Sequence, residues 1–143
     1  MYLFDTDHIG IVQRGSEPEF GRFSVRAKDH NPTDFFTSII SFHEQVSGWN
    51  AYLNRAKTQQ DVVLSYWRFE KILRDFSRTQ ILPFDEAASE VFESLKKQRV
   101  RIGTLDLRIA SIAIAKQLTL LSRNLKDFLK VPGLDVEDWT AVQ

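Results

Sequence analysis

The sequence predicts an α/β protein: a three-layer α/β/α sandwich on a mainly parallel sheet of four to five strands, with a helical hairpin between the second and third strands. Three observations carry that expectation. Short apolar runs of strand length alternate with longer amphipathic stretches, no segment repeats, and acidic residues recur where apolar runs give way to helix starts. Strands that alternate with helices pair in parallel through right-handed crossovers. A chain of 143 residues is the size of one domain and buries roughly 70% of the surface its unfolded form exposes. One domain is expected over residues 1–143.

The elements follow in order. Tyr2 to Asp5 reads as the first strand, and Asp7 as the cap of a helix beginning near His8. Ser16-Glu17-Pro18-Glu19 has capping-box spacing with an early proline and opens a second helix; Asn31-Pro32 closes that region. Phe35 to Ile40 is the second strand. Two helices come next, Ser41 to Arg55 and Gln59 to Phe76. Thr79 to Phe84 is the third strand, after which Asp85 caps a helix whose Ala88, Val91, Phe92 and Leu95 share one face and which ends before Gly103. Leu105 to Ala115 is apolar on most sides, as a helix packed inside a layered domain must be. Leu118 to Ser122 gives the fourth strand and Leu134 to Val136 a weaker fifth.

The helix over Gln59 to Phe76 carries a wide stripe. Val62, Tyr66, Phe69, Leu73 and Phe76 follow steps of four and three, and Val63 and Trp67 widen it. Packing on the domain's own sheet accounts for such a stripe; part of it also suits a dimer contact or a partner's amphipathic helix.

Composition narrows the function classes. Hydrophobic residues make up 43% and charged residues 27% of the chain, ordinary for a water-soluble domain. No apolar run approaches the ~20 residues that span a bilayer, and the N-terminus lacks the pattern of a secretory signal, so cytoplasmic residence without membrane contact is expected. There is no cysteine, which removes disulfides, thiolate zinc sites and cysteine nucleophiles. Lys+Arg and Asp+Glu each number 19, so any nucleic-acid surface must be local.

The candidate chemistry lies in four acids: Asp5, Glu44, Asp106 and Asp127. In an open α/β sheet ligands bind beyond the carboxyl ends of the strands, where carboxylates from distant segments converge. Carboxylate oxygens suit Mg²⁺ or Mn²⁺. Each acid also has a local explanation. Ser41-Phe42-His43-Glu44 has capping-box spacing, Asn124 can cap the helix containing Asp127, and Asp106 near a helix start is favoured by the macrodipole. Joint position argues for more: carboxylates within about 5 Å repel by about 3 kcal/mol per pair at an effective dielectric near 20, and that cost calls for protons or divalent cations.

The ordered set of segments resembles the PIN-domain ribonucleases of the VapC toxin group. The likeness runs through Tyr2-Leu3-Phe4-Asp5-Thr6-Asp7-His8 with Gln13-Arg14-Gly15, through Ser38-Ile39-Ile40-Ser41-Phe42-His43-Glu44 with Gly48, and through Ile102-Gly103-Thr104-Leu105-Asp106-Leu107-Arg108-Ile109-Ala110. It closes with Ser122-Arg123-Asn124-Leu125-Lys126-Asp127-Phe128, Val131-Pro132-Gly133-Leu134 and Asp138-Trp139. Asp7 departs from the amide that many relatives carry; it either adds charge to the site or caps the helix beginning near His8. The resemblance implies that Asp5 and Asp106 are the principal metal ligands, Glu44 a third acid facing the ion and Asp127 a more distant one, with Thr6, Ser122 and Asn124 in support. It implies a Mg²⁺-dependent endoribonuclease, with Mn²⁺ as a substitute, whose products carry a 5′-phosphate and a 3′-hydroxyl. The implied partners are RNA and a cognate VapB-like antitoxin, in a homodimer or a toxin–antitoxin hetero-oligomer.

RNA-binding residues are less legible. Lys96, Lys97, Arg99 and Arg101 form a local basic run that suits a phosphate backbone, although cations near a helix C-terminus are also favoured by its dipole. Arg14, Arg108, Arg123 and Lys126 lie closer to the acidic motifs. His8 and His43 adjoin motif acids but point about 100° away from them on a helix, which makes neither a convincing base. Two rivals remain. Phe4-Asp5-Thr6-Asp7 also resembles the nucleophile motif of haloacid-dehalogenase-type phosphatases, a family that expects closely spaced metal-binding acids after a later strand. A non-enzymatic interaction module, with every acid a cap, is the other.

Overall fold

The computed structural model describes residues 1–143. It contains strands β1 (Tyr2–Phe4), β2 (Phe35–Ser38), β3 (Ile81–Leu82), β4 (Thr119–Leu121) and β5 (Val136–Glu137). Helices are α1 (Thr6–Arg14), α2 (Glu19–Ala27), α3 (Ile39–Asn54), α4 (Gln59–Ser77), α5 (Glu86–Lys97), α6 (Thr104–Lys116) and α7 (Leu125–Phe128), with a 3₁₀ turn at Pro32–Asp34. The five strands form one parallel sheet in the order β3-β2-β1-β4-β5. The chain therefore builds outward from β1 on one side and then returns to β4 on the other, which puts a topological switch beside β1, at the carboxyl ends of β1 and β4.

Alternation along the short strands serves both faces of the sheet. Leu3, Phe36 and Leu120 point into the larger core, made with Leu107, Ile109, Ala110, Ile112 and Ala113 of α6 and with Ala88 and Leu95 of α5. Tyr2, Phe4, Phe35 and Leu121 point the other way, onto Phe23 of α2 and Trp139. Aromatic rings fill this second face: Tyr2 and Trp139 stand 4.6 Å apart, Phe4 stacks on Phe35 at 5.5 Å, and Arg26 lies 4.9 Å above Trp139.

Several boundaries differ from the sequence expectation for identifiable reasons. Ile39 and Ile40 begin α3 rather than ending a strand, because the Ser38 side chain accepts from the Ser41 N–H and caps the helix there. Thr79 closes α4 onto the Phe76 carbonyl, and Pro83, with no N–H to donate, follows the two paired residues of β3. Leu118 donates to the Ala113 carbonyl and so belongs to the end of α6. The fifth strand is real but lies later, at Val136–Glu137. Ser16 makes no side-chain cap: α2 has none, and Glu17 accepts from the Gly21 N–H instead. Gly15 ends α1 at φ 62, in the left-handed region open to glycine.

The hairpin between β2 and β3 is α3 against α4, and its stripe is divided. Val62 and Phe69 are half-buried and Ile72 and Phe76 buried, with Ile9 packed on the latter two. Val63, Tyr66, Trp67 and Leu73 are exposed. No helix is long and apolar enough to cross a membrane.

Candidate active site

At the switch point, β1 ends in Asp5. Its N–H donates to the Leu121 carbonyl of β4 at 2.9 Å, so the two strand ends are tied together. Asp5, not Asp7, caps α1: its Oδ1 accepts from the Thr6 N–H at 2.8 Å. The Ser122 hydroxyl, just beyond β4, donates to Asp5 Oδ2 at 2.7 Å. Only 6% of Asp5 is exposed. Burial, reinforced by the charges of Asp7 and Asp106, pushes its pKa up to about 7, against the pull of the Ser122 and Thr6 hydrogen bonds.

Asp7 has a different task from the one its helix-start position suggests. It accepts from the Arg123 N–H at 2.9 Å and from the His8 ring Nδ1 at 2.9 Å, with the Ser122 hydroxyl at 3.4 Å. It thereby ties the start of α1 to the segment after β4. The fully buried His8 receives the Trp139 N–H on Nε2 at 3.4 Å, a structural role consistent with its rejection as a base.

Glu44 lies on α3. Because the Ser41 N–H is already taken by Ser38, Glu44 is not part of a Ser41 capping box. The Thr6 hydroxyl donates to Ser41 Oγ at 3.0 Å, and Thr6 also favours the ionised Glu44. Burial raises the Glu44 pKa first, then the fields of Asp106 and Asp7, while Thr6 and His43 oppose them.

Asp106 sits in the first turn of α6, whose cap, Gly103, offers no side chain. It follows a helix rather than a strand. Burial again leads in raising its pKa, followed by the charges of Asp127 and Asp7. Asp127 titrates in the opposite sense. The Asn124 side-chain amide donates to its Oδ2 at 3.1 Å and Lys130 stands 3.6 Å from Oδ1; Asn124 leads in holding its pKa below the ordinary value. Asn124 also accepts from the Asp127 N–H at 3.4 Å, the cap expected for α7.

Asp5, Glu44 and Asp106 thus share one electrostatic field with Asp7, and Asp127 joins through Asp106. No three His, Asp or Glu side chains are close enough together to hold an ion unaided. The donor set still fits one kind of ion. Mg²⁺ keeps several waters and is bound through one or two carboxylates plus substrate phosphates, and Asp5, Glu44 and Asp106 have suppressed acidity and take part in no ion pair. The sequence reading missed Asp7 as a bridge and Ser38 and Ser41 as the supports of α3. The Ser-x-x-Ser spacing carried that second signal.

Comparison with known proteins adds the following. The sequence profile of the PIN domain matches residues 4–134. Ribonuclease VapC2 of Rickettsia felis is 27% identical over 140 residues, covering 97% of this chain and 98% of its own. The tRNA(fMet)-specific endonuclease VapC of Salmonella typhimurium is 30% identical over 67 residues, covering 44% of this chain and 51% of its own. Among solved structures, VapBC2 of Rickettsia felis bound to a promoter DNA fragment superposes with a TM-score of 0.67 at 25% identity, over 96% of this chain and 98% of the matched one. DNA-bound VapBC of Salmonella typhimurium does so with a TM-score of 0.72 at 19% identity, over 96% and 97%.

Proposed function

We propose, from the premise that this chain belongs to the PIN domain family, that it is a divalent-metal-dependent endoribonuclease and the toxin of a toxin–antitoxin pair. The observation that carries the reading is Asp5: a buried carboxylate at the sheet's switch point, bonded to Ser122 across 117 positions of sequence and pushed up to about pKa 7. A group so placed is costly as a lone anion and apt as a cation ligand. PIN-domain nucleases generally depend on divalent metal; Mg²⁺ is the ion we assign, with Mn²⁺ able to replace it.

Asp5 and Asp106 would hold the ion, with Glu44 and, at longer range, Asp127. When bound, the cation orients the scissile phosphate, offsets its charge and lowers the pKa of an attacking water. Ser122 and Thr6 fix both oxygens of Asp5, so that its lone pairs keep one direction. Glu44, whose raised pKa suits proton transfer, accepts the water's proton. Water attacks phosphorus in line and the bond to the 3′-oxygen breaks. That oxygen takes up a proton, leaving a 5′-phosphate and a 3′-hydroxyl.

The phosphatase alternative fits the geometry less well, because Asp106 opens a helix preceded by another helix instead of following a strand. Relatives solved as VapBC complexes support a VapB-like antitoxin as partner. We assign the exposed Val63, Tyr66, Trp67 and Leu73 face of α4 to it, and read the chain as a single cytoplasmic domain that works as a homodimer or toxin–antitoxin hetero-oligomer. The test is cleavage of RNA by the purified protein with Mg²⁺, stopped by a chelator and restored by excess ion. Cleavage indifferent to the chelator, or none with either metal, overturns the proposal.

A further inference from the structure

We propose that a groove beside the acidic site is the track for the RNA backbone flanking the cut, with Arg99 and Arg101 as its substrate-binding residues; this rests on the nuclease reading. The groove, of about 540 Å³, has Arg99, Val100 and Arg101 on one wall and Leu129, Lys130 and Pro132 on the other. It contains three cations and no acid, in a chain whose acidic and basic residues balance at 19 each.

Its position links it to the chemistry. Lys130 stands 3.6 Å from Asp127, whose charge is felt at Asp106. The opposite wall runs directly into Gly103 and the first turn of α6, which bears Asp106. Both walls therefore end at candidate ligands. An RNA strand leaving the site along this groove meets cations on either side.

Two features leave these arginines available to a ligand. The helix dipole accounts for Lys96 and Lys97, which occupy the last turn of α5, but its effect falls off within that turn and does not reach Arg101. Neither Arg99 nor Arg101 takes part in any of the chain's ion pairs, and both are exposed. Arg99 also holds φ at 60, the position after a helix where glycine is the unstrained choice. The same is true of Gln117 after α6, so the backbone alone does not single Arg99 out. It does supply a gentle variant: Arg99→Gly removes the charge and relieves the conformation.

The groove has no aromatic ring to stack on bases; its apolar lining is Val100, Pro132 and Leu129, the last 71% exposed. Binding here is therefore to phosphate and sugar, tolerant of sequence and sensitive to salt.

The experiment uses Arg99→Gly, Arg101→Gln and the double variant, in the active protein and in a non-cleaving Asp106→Asn background. The probe is a fluorescein-labelled single-stranded RNA of mixed sequence, about 15 nucleotides long. In the active protein the double variant is expected to raise KM about tenfold with kcat within about twofold. In the non-cleaving background it weakens binding similarly and lowers the slope of log affinity against log salt by about 1.4, two contacts at about 0.7 each for a single strand. Arg99→Gly melts no lower than its parent, which excludes a folding defect. Unchanged KM, affinity and salt slope overturn the track while leaving the nuclease standing. Loss of poly-glutamate binding with RNA affinity intact also overturns it and assigns the groove to an acidic protein. Groove-dependent RNA binding without any cleavage by the parent leaves the groove an RNA-binding surface but overturns its place beside a cut, together with the nuclease reading. Neither binding nor cleavage sinks both.

Discussion

β1 and β4 lie side by side and each is followed by an acid at a helix start, yet the two acids are stabilised by different means. Asp5 takes its hydrogen bonds from Thr6 and from the distant Ser122, is buried beside other carboxylates, and has its acidity suppressed. Asp127 is served locally by Asn124 and Lys130 and has its acidity enhanced. A carboxylate with its own nearby cation needs no metal. One whose neighbours are carboxylates does, so Asp5 and Asp106 should dominate the chemistry and Asp127 adjust it.

The sharpest way to break that contrast is to neutralise each acid in turn. Asp5→Asn and Asp106→Asn are each expected to lower cleavage about 10³-fold or more, several kcal/mol of transition-state stabilisation at 1.36 kcal/mol per decade, with the circular dichroism spectrum unchanged. Asp127→Asn should lower kcat/KM only about tenfold, measured on the same RNA. Equal losses at all three sites would erase the distinction between the two strand ends.

Metal linkage sharpens it further. Mn²⁺ at about a hundred times its Kd adds about 2.7 kcal/mol and should raise Tm by about 5 °C or more, an effect lost in Asp5→Asn and largely kept in Asp127→Asn. The rise should be larger above pH 7 than near pH 5, because the ligands must shed protons to bind. A rise in Asp5→Asn equal to the parent's would remove Asp5 from the ligand set.

A smaller effect appears without metal. The folded chain holds the Asp5 proton up to about pH 7, whereas the unfolded chain releases it near 3.8. The stability contributed by this group is therefore fully present below pH 3.8 and is lost as pH rises through about 7. Asp5→Asn should melt above the parent beyond pH 7, with the gap closing toward pH 4 in thermal melts free of metal. At the smallest end, Tyr66→Ser with Trp67→Ser should leave Tm nearly unchanged, both being exposed, while weakening capture of the antitoxin in a pull-down. Unchanged capture would move that interface elsewhere.

Much of this was legible in the residues. Strand and helix order, the caps at Asp85 and Asn124 and the buried α6 follow from periodicity and end chemistry, which act over a few positions. Asp5, Asp106 and Asp127 were legible as candidates because they lie at helix starts, whereas Glu44 falls beyond the first turn of α3. What eluded the sequence depends on competition between nearby acceptors. Ser38 outcompetes the continuation of β2 and takes the Ser41 N–H from Glu44. Asp5 takes the cap that Asp7 seemed placed to fill, freeing Asp7 to reach Arg123. Which half of the α4 stripe faces inward was equally hidden, since Ser65 is fully buried and Trp67 is not: the register against α3 decides it.

The Ser122–Asp5 bond spans 117 positions of sequence. Translation runs from the amino end, so the first acid waits for its companion until most of the polypeptide has left the ribosome, and β4 must slot in beside β1 before the pocket exists. A growing or prematurely terminated product lacks that pocket. On the nuclease reading, any truncation ahead of Ser122 should cleave no RNA.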